Sequence, residues 1–135
     1  MGEKSPVGTN TLKILVVDDE PYIREVLQQL LETEGYETRS ADSGFSALEA
    51  VHDFSPHIIF LDIRMPEMDG FQCLRRIKEC APHSQVVMIS GFATLEMARR
   101  SLEIGAFDYI EKPLSFDHIR EVIRRITRTK FMEFL

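Results

Sequence analysis

Five residues of this chain carry groups that could do chemistry together, and each closes or follows a short apolar run. Leu12 to Val17, broken only by Lys13, ends in Asp18-Asp19. Ile58 to Leu61 ends in Asp62, Val86 to Ile89 ends in Ser90, and Tyr109-Ile110 is followed by Lys112-Pro113. If the runs are parallel strands of one open sheet, these groups share a rim, because ligands of such sheets bind outside the carboxyl ends of the strands where strand order reverses. Three clustered carboxylates cannot stand uncompensated there. Two like charges about 4 Å apart repel by about 4 kcal/mol at an effective dielectric of ~20. An oxygen-only cluster suits Mg²⁺, a hard cation that takes one or two carboxylates together with waters and phosphate oxygens. Lys112 adds a point charge for a phosphoryl oxygen, and Ser90 adds a short hydroxyl. An aspartate can itself be the nucleophile that forms an aspartyl-phosphate. Phosphoryl transfer asks mostly for positioning and charge neutralisation, which this set supplies. Asp62, at the end of the strand expected at the centre, is the best nucleophile candidate, leaving Asp18 and Asp19 as a metal pair.

The elements that must position these groups alternate. Ile23, Val26, Leu27, Leu30 and Leu31 recur with a helical period, Pro21 suits the first turn and Gly35 the stop. Tyr36 to Ala41 reads as a half-polar strand at a sheet edge. Ser43 can cap a second helix through Val51, closed by Pro56. A third helix carries Leu74 and Ile77 and ends before Pro82. A fourth carries Leu95, Ala98 and Leu102 and ends at Gly105. The last starts near Ser115 and presents Ile119, Val122, Ile123 and Ile126. Five strands alternating with five helices predict an α/β fold with a mainly parallel sheet covered on both faces.

Bulk composition narrows the function classes. At 135 residues the chain is one domain with room for a layered core. A hydrophobic fraction of 44% and a charged fraction of 28% are ordinary for a globular protein. A formal net charge of −6 argues against broad nucleic-acid binding. No apolar run approaches a membrane span, and the polar start through Asn10 does not read as a signal peptide. Pro6 stands where a myristoylation pattern wants Ser or Thr. Cys73 and Cys80 lack zinc spacing and read as thiols of a reducing cytoplasm. His52, His57, His83 and His118 are scattered and read as surface or edge residues without a catalytic role.

The motifs V-V-D-D-E at 16–20, L-D-I-R-M-P-E-M-D-G at 61–70, I-S-G at 89–91, G-A-F-D-Y-I at 105–110 and K-P at 112–113 resemble those of response regulator receiver domains of two-component signalling. The likeness runs from about Leu12 to Ile126. It implies a flavodoxin-like, doubly wound sheet of order 2-1-3-4-5 with five helices, over a receiver domain at 12–127 between a disordered tail at 1–11 and a tail or truncated linker at 128–135. It further implies that Asp18 and Asp19 bind Mg²⁺ with Asp62 and the main-chain carbonyl of Arg64. Asp62 would accept the phosphoryl group of a sensor kinase or phosphotransfer phosphohistidine, and Ser90 and Lys112 would sense it. Tyr109 would move inward as a switch, reshaping the face of the fourth helix, fifth strand and fifth helix for an output domain or homodimer. The same likeness implies a cis Lys112–Pro113 bond, a cytoplasmic location, no direct nucleic-acid or membrane binding, and phosphoryl lifetime tuned at Arg64 and Phe92. A bulky Phe92 predicts slow self-dephosphorylation.

Taken singly, each residue has a plainer reading. Asp18-Asp19 could cap a helix, Lys112 could be a surface lysine, Tyr109 a boundary aromatic, Ser90 a loop cap and Asp69-Gly70 a turn. Their coincidence at successive strand ends favours the site. The basic stretch Arg124, Arg125, Arg128 and Lys130 could be a helix end favoured by its dipole, or a linker or partner surface. Enzymes built on this architecture fit poorly: no Ser/Thr-rich phosphate loop or G-x-G-x-x-G follows the first strand, and the acids there read D-D-E, not D-x-D. A receiver-like module that no longer takes phosphate is the remaining alternative.

Overall fold

The structure, a computed structural model, describes residues 11–92 and 94–135. Five strands, β1 (Lys13–Val17), β2 (Glu37–Ala41), β3 (Ile58–Asp62), β4 (Gln85–Ser90) and β5 (Asp108–Glu111), form one sheet of order β2-β1-β3-β4-β5. Every neighbouring pair is parallel. Strand order therefore reverses between β1 and β3, and the crevice for a ligand lies outside their carboxyl ends. The helices are α1 (Pro21–Thr33), α2 (Gly44–Phe54), α3 (Gly70–Cys80), α4 (Leu95–Ile104) and α5 (Phe116–Lys130).

Because successive strand residues point to opposite faces, the apolar runs feed two cores. Leu15, Val17, Ile59, Leu61, Val86 and Met88 pack under α2 and α3, with Ala47, Val51, Leu74 and Ile77. Ile14, Val16, Ile58, Phe60, Val87 and Ile89 pack under α1 and α5, with Leu27, Leu31, Ile119 and Ile123. β3 is buried at all five positions, whereas β2 is mostly exposed, as expected of a central and an edge strand. Pro21 opens α1. Ser43 and Ser46 form a capping box on α2. Asp69, expected in a turn, is the N-cap of α3 and pairs reciprocally with Gln72.

α4 is the least buried of the five helices. Of the three apolar residues expected on α4, Leu95 is 86% exposed and Leu102 52% exposed, and only Ser101 of this helix is fully buried. Met97 and Ile104 make its partial contact with the core instead. α5 continues to Lys130 and is followed by one 3-10 turn at Met132–Phe134, because Phe131 and Phe134 find the second core to pack against. The expected N-terminal tail, apart from Thr11, lies outside the described residues.

Candidate functional site

The register brings the chemical groups together. Val17 is opposite Leu61, so Asp18 and Asp62 leave adjacent strands side by side. Asp62 is in turn opposite Ile89, and Ser90 opposite Glu111, so Ser90 and Lys112 follow on the other flank. The Lys112 N–H donates to the Ser90 carbonyl at 2.8 Å, and the Lys112–Pro113 bond is cis. Asp18, Asp62 and Ser90 are buried, Lys112 is half-buried, and Asp19 is exposed.

Lys112 Nζ is the cation among these acids. It stands 3.0 Å from Asp18 Oδ2, 3.8 Å from Asp62 Oδ2 and 3.7 Å from Glu20 Oε2. The same partners hold the lysine pKa above its usual value against the opposing effect of burial. Asp62 is pushed up to about 7, first by burial and then by the neighbouring Asp18 carboxylate, while Lys112 and the Arg64 N–H pull it down. That N–H donates to Asp62 Oδ1 at 3.4 Å. Asp18 Oδ1 accepts from the Glu20 N–H at 2.9 Å, and the Asp18 carbonyl accepts from Arg24 Nη1 at 2.7 Å.

Asp18 Oδ2 is buried and faces the ammonium without a hydrogen bond in good geometry among the described residues. A buried carboxylate oxygen met by a single ammonium, beside a second, desolvated carboxylate, is suited to a hard cation. Carboxylate oxygens of Asp18, Asp19 and Glu20 lie within 4.8 Å of one another, so the donor set is all oxygen. Glu20 was not singled out from the sequence. Its only signal is its place as the third acid of an unbroken run, where it also reads as the residue preceding Pro21.

The flank beyond Ser90 is built differently. Ser90 Oγ accepts from the Phe92 N–H at 3.0 Å, tying the hydroxyl to the loop that leads into α4. The Tyr109 hydroxyl oxygen is buried without a hydrogen bond in good geometry among the described residues, and burial raises its pKa while polar groups of Ser90 and Thr94 nearby lower it. Phe92 is 65% exposed, and the Arg64 guanidinium lies over its ring at 4.4 Å from the centroid. The two residues expected to tune phosphoryl lifetime thus touch each other. On the other side, α3 approaches β3 so closely that a Cβ at Gly70 would fall 2.5 Å from the Asp62 carbonyl oxygen.

A doubly wound five-stranded sheet whose rim holds an acid pair, a buried aspartate, a hydroxyl and a lysine defines a signalling receiver fold. The response regulator receiver domain family matches residues 14–124. Regulatory protein AtoC of Escherichia coli K12 is 35% identical over 121 residues, which are 90% of this chain and 26% of AtoC. Sporulation initiation phosphotransferase F of Bacillus subtilis is 35% identical over 113 residues, covering 84% of this chain and 91% of that protein. The solved CheY-like receiver domain protein of Methanospirillum hungatei superposes with a TM-score of 0.86 at 31% identity, covering 91% of this chain and 98% of the other. The chain belongs to the response regulator receiver domain family. It spans about a quarter of AtoC and nearly all of the sporulation phosphotransferase.

Proposed function

We propose that this receiver domain takes a phosphoryl group onto Asp62 from the phosphohistidine of a sensor kinase or phosphotransfer protein. The observation that carries the reading is the buried Asp62 carboxylate, held between Asp18 and Lys112 at the reversal point of the sheet. A carboxylate oxygen of Asp62 attacks phosphorus, the new O–P bond forms as the P–N bond breaks, and the electron pair leaves with the donor imidazole. Lys112 balances negative charge on the equatorial oxygens, and the Ser90 hydroxyl can turn from the Phe92 N–H to donate to the phosphoryl group.

Asp18, Asp19, Asp62 and the Arg64 carbonyl would hold Mg²⁺, with Glu20 as a further carboxylate beside the acid pair. When bound, the cation neutralises the carboxylates and lets a phosphate dianion approach them. Because Ser90 is tied to the Phe92 loop, its movement is passed towards α4, and the buried Tyr109 hydroxyl, close to Ser90 and Thr94, is the neighbouring group that would respond. The face of α4, β5 and α5 would then engage an output domain, a partner or a second copy. The Arg64–Phe92 stack at the mouth of the site would slow entry of the water that hydrolyses the aspartyl-phosphate.

Intact-mass analysis after incubation with acetyl phosphate tests the reading. One added phosphoryl group, dependent on Mg²⁺ and lost in Asp62→Asn, is expected. No addition to folded protein from acetyl phosphate or from a phosphohistidine donor would favour a phosphate-independent interaction module. A short-lived phosphoform in a decay assay would overturn the slow-hydrolysis reading.

A further inference from the structure

At the opposite end of the sheet from the acids, His57 sits where three strands begin. Its N–H donates to the Lys13 carbonyl at 2.8 Å, and its carbonyl accepts from the Gln85 N–H at 2.9 Å. The side chain completes the pairing: His57 Nδ1 accepts from the Lys13 N–H at 3.0 Å. An acceptor at Nδ1 requires the neutral ring with its proton on Nε2. Two aromatic rings from beyond α5 close over it. Phe131 and Phe134 meet the imidazole edge to face at centroid distances of 5.2 and 4.8 Å. Each also walls a cavity: Phe131 one of about 420 Å³ that His57 itself lines, and Phe134 with Leu135 another of about 340 Å³ between α1 and α5.

We propose that His57 is a proton-operated latch for the C-terminal segment Phe131–Leu135. In the neutral state the imidazole satisfies the Lys13 amide and presents a fixed surface to both phenyl rings. Protonation places a donor on Nδ1 opposite another donor, so the bond is lost and the Lys13 N–H is left without its partner. The ring turns, the two phenyl rings lose their seat and both cavities open.

The surroundings decide the sign. From β1 the Lys13 ammonium opposes a second positive charge, and from the C-terminal turn the Glu133 carboxylate favours it. His52 of α2, Cys80 of α3 and His83 of the loop before β4 line the cavity that Phe131 closes. Burial and Lys13 outweigh Glu133, so the imidazole pKa lies below its ordinary value. The docked state is therefore favoured as pH rises and is lost as pH falls through the histidine's own titration.

NMR of the full chain between about pH 7.5 and about pH 5 tests this directly. The expected result is that amide signals of Phe131–Leu135 shift with the same midpoint as the His57 ring protons. The protection factor of the Lys13 amide should fall on the order of tenfold or more, the scale of one buried hydrogen bond. In His57→Asn, whose side-chain oxygen can accept from Lys13 but does not titrate and which lacks the ring that seats the phenyl groups, the extent of docking should be reset but should not change between the two ends of the range. A segment that stays docked while His57 titrates would overturn the latch, as it would if attraction between imidazolium and phenyl rings holds them together. A pH-dependent release that persists in His57→Asn would also overturn it and assign the effect to His52 or His83.

Discussion

α4 and α5 flank β5, yet the protein treats them in opposite ways. α5 buries Ile119, Val122, Ile123, Ile126 and Thr127 against the sheet. α4 fully buries only Ser101, whose hydroxyl donates back to the Met97 carbonyl, and leaves Leu95 and Leu102 in solvent. Apolar burial is worth roughly 1.5–3 kcal/mol for each fully covered large side chain, so α5 is held by several such contributions and α4 by partial ones. The candidate site spans this divide. Asp18 and Asp62 end strands that are packed on both faces, while Ser90 passes through Phe92 into the loosely held helix. A rigid acid cluster coupled to a weakly seated helix is the arrangement a switch needs, since elements that move come from the low-stability end of a structure.

The contrast is broken most forcefully from the α5 side. Ile123→Ala removes a side chain that is 2% exposed and should cost roughly 2–5 kcal/mol in urea unfolding. A loss below 1 kcal/mol would mean that α5 is no better anchored than α4.

Next in size is Gly70→Ala, on the fixed side of the site. The added Cβ would lie 2.5 Å from the Asp62 carbonyl oxygen and 2.6 Å from Ile63 Cα, both backbone atoms that cannot step aside cheaply. A stability loss of roughly 1–3 kcal/mol is expected, with a shifted Asp62 that takes phosphoryl from acetyl phosphate more slowly. Unchanged uptake would show that the rim tolerates displacement of β3.

Both halves of the contrast bear on what could be read beforehand. The α5 stripe, the apolar strands and the groups at their ends were legible because burial dictates period and register. The α4 face was not. Leu95, Ala98 and Leu102 have the spacing of a core stripe, and periodicity reveals that a helix has an apolar face without revealing whether anything covers it. Glu20 escaped notice because an acid before a proline at a helix start already has a local explanation. The seat of Phe131 and Phe134 depends on His57, more than seventy positions earlier in the chain, and such tertiary partners leave no local signal.

A smaller effect sharpens the electrostatic side of the rigid half. With divalent cations chelated, the raised pKa of Asp62 means that the folded protein holds this proton more tightly than the unfolded chain, whose aspartates titrate near 3.9. Stability from this group is therefore present at acid pH and lost as pH rises towards about 7. Asp62→Asn removes the repulsion with Asp18. It should melt a few degrees above the wild type at about pH 8, with the gap closing near pH 4 and narrowing when Mg²⁺ is added to the wild type. Equal melting temperatures at the higher pH would mean that Lys112 already neutralises the cluster.

The smallest expected effect falls on α4 itself. Leu95→Ala trims a side chain that is 86% exposed and should change stability by less than about 0.5 kcal/mol, against the several kcal/mol expected at Ile123. Its consequence belongs to recognition. An exposed leucine on a loosely seated helix is more useful to a partner than to the fold, so its loss should weaken capture of whatever the α4–β5–α5 face binds while leaving Asp62 phosphorylation intact. Hydrogen exchange reads the same point without a partner: α4 amides should exchange faster than those of α5 in both wild type and variant. If Leu95→Ala instead destabilised the fold as much as Ile123→Ala, α4 would be a structural helix, and the movable half would have to be sought outside it.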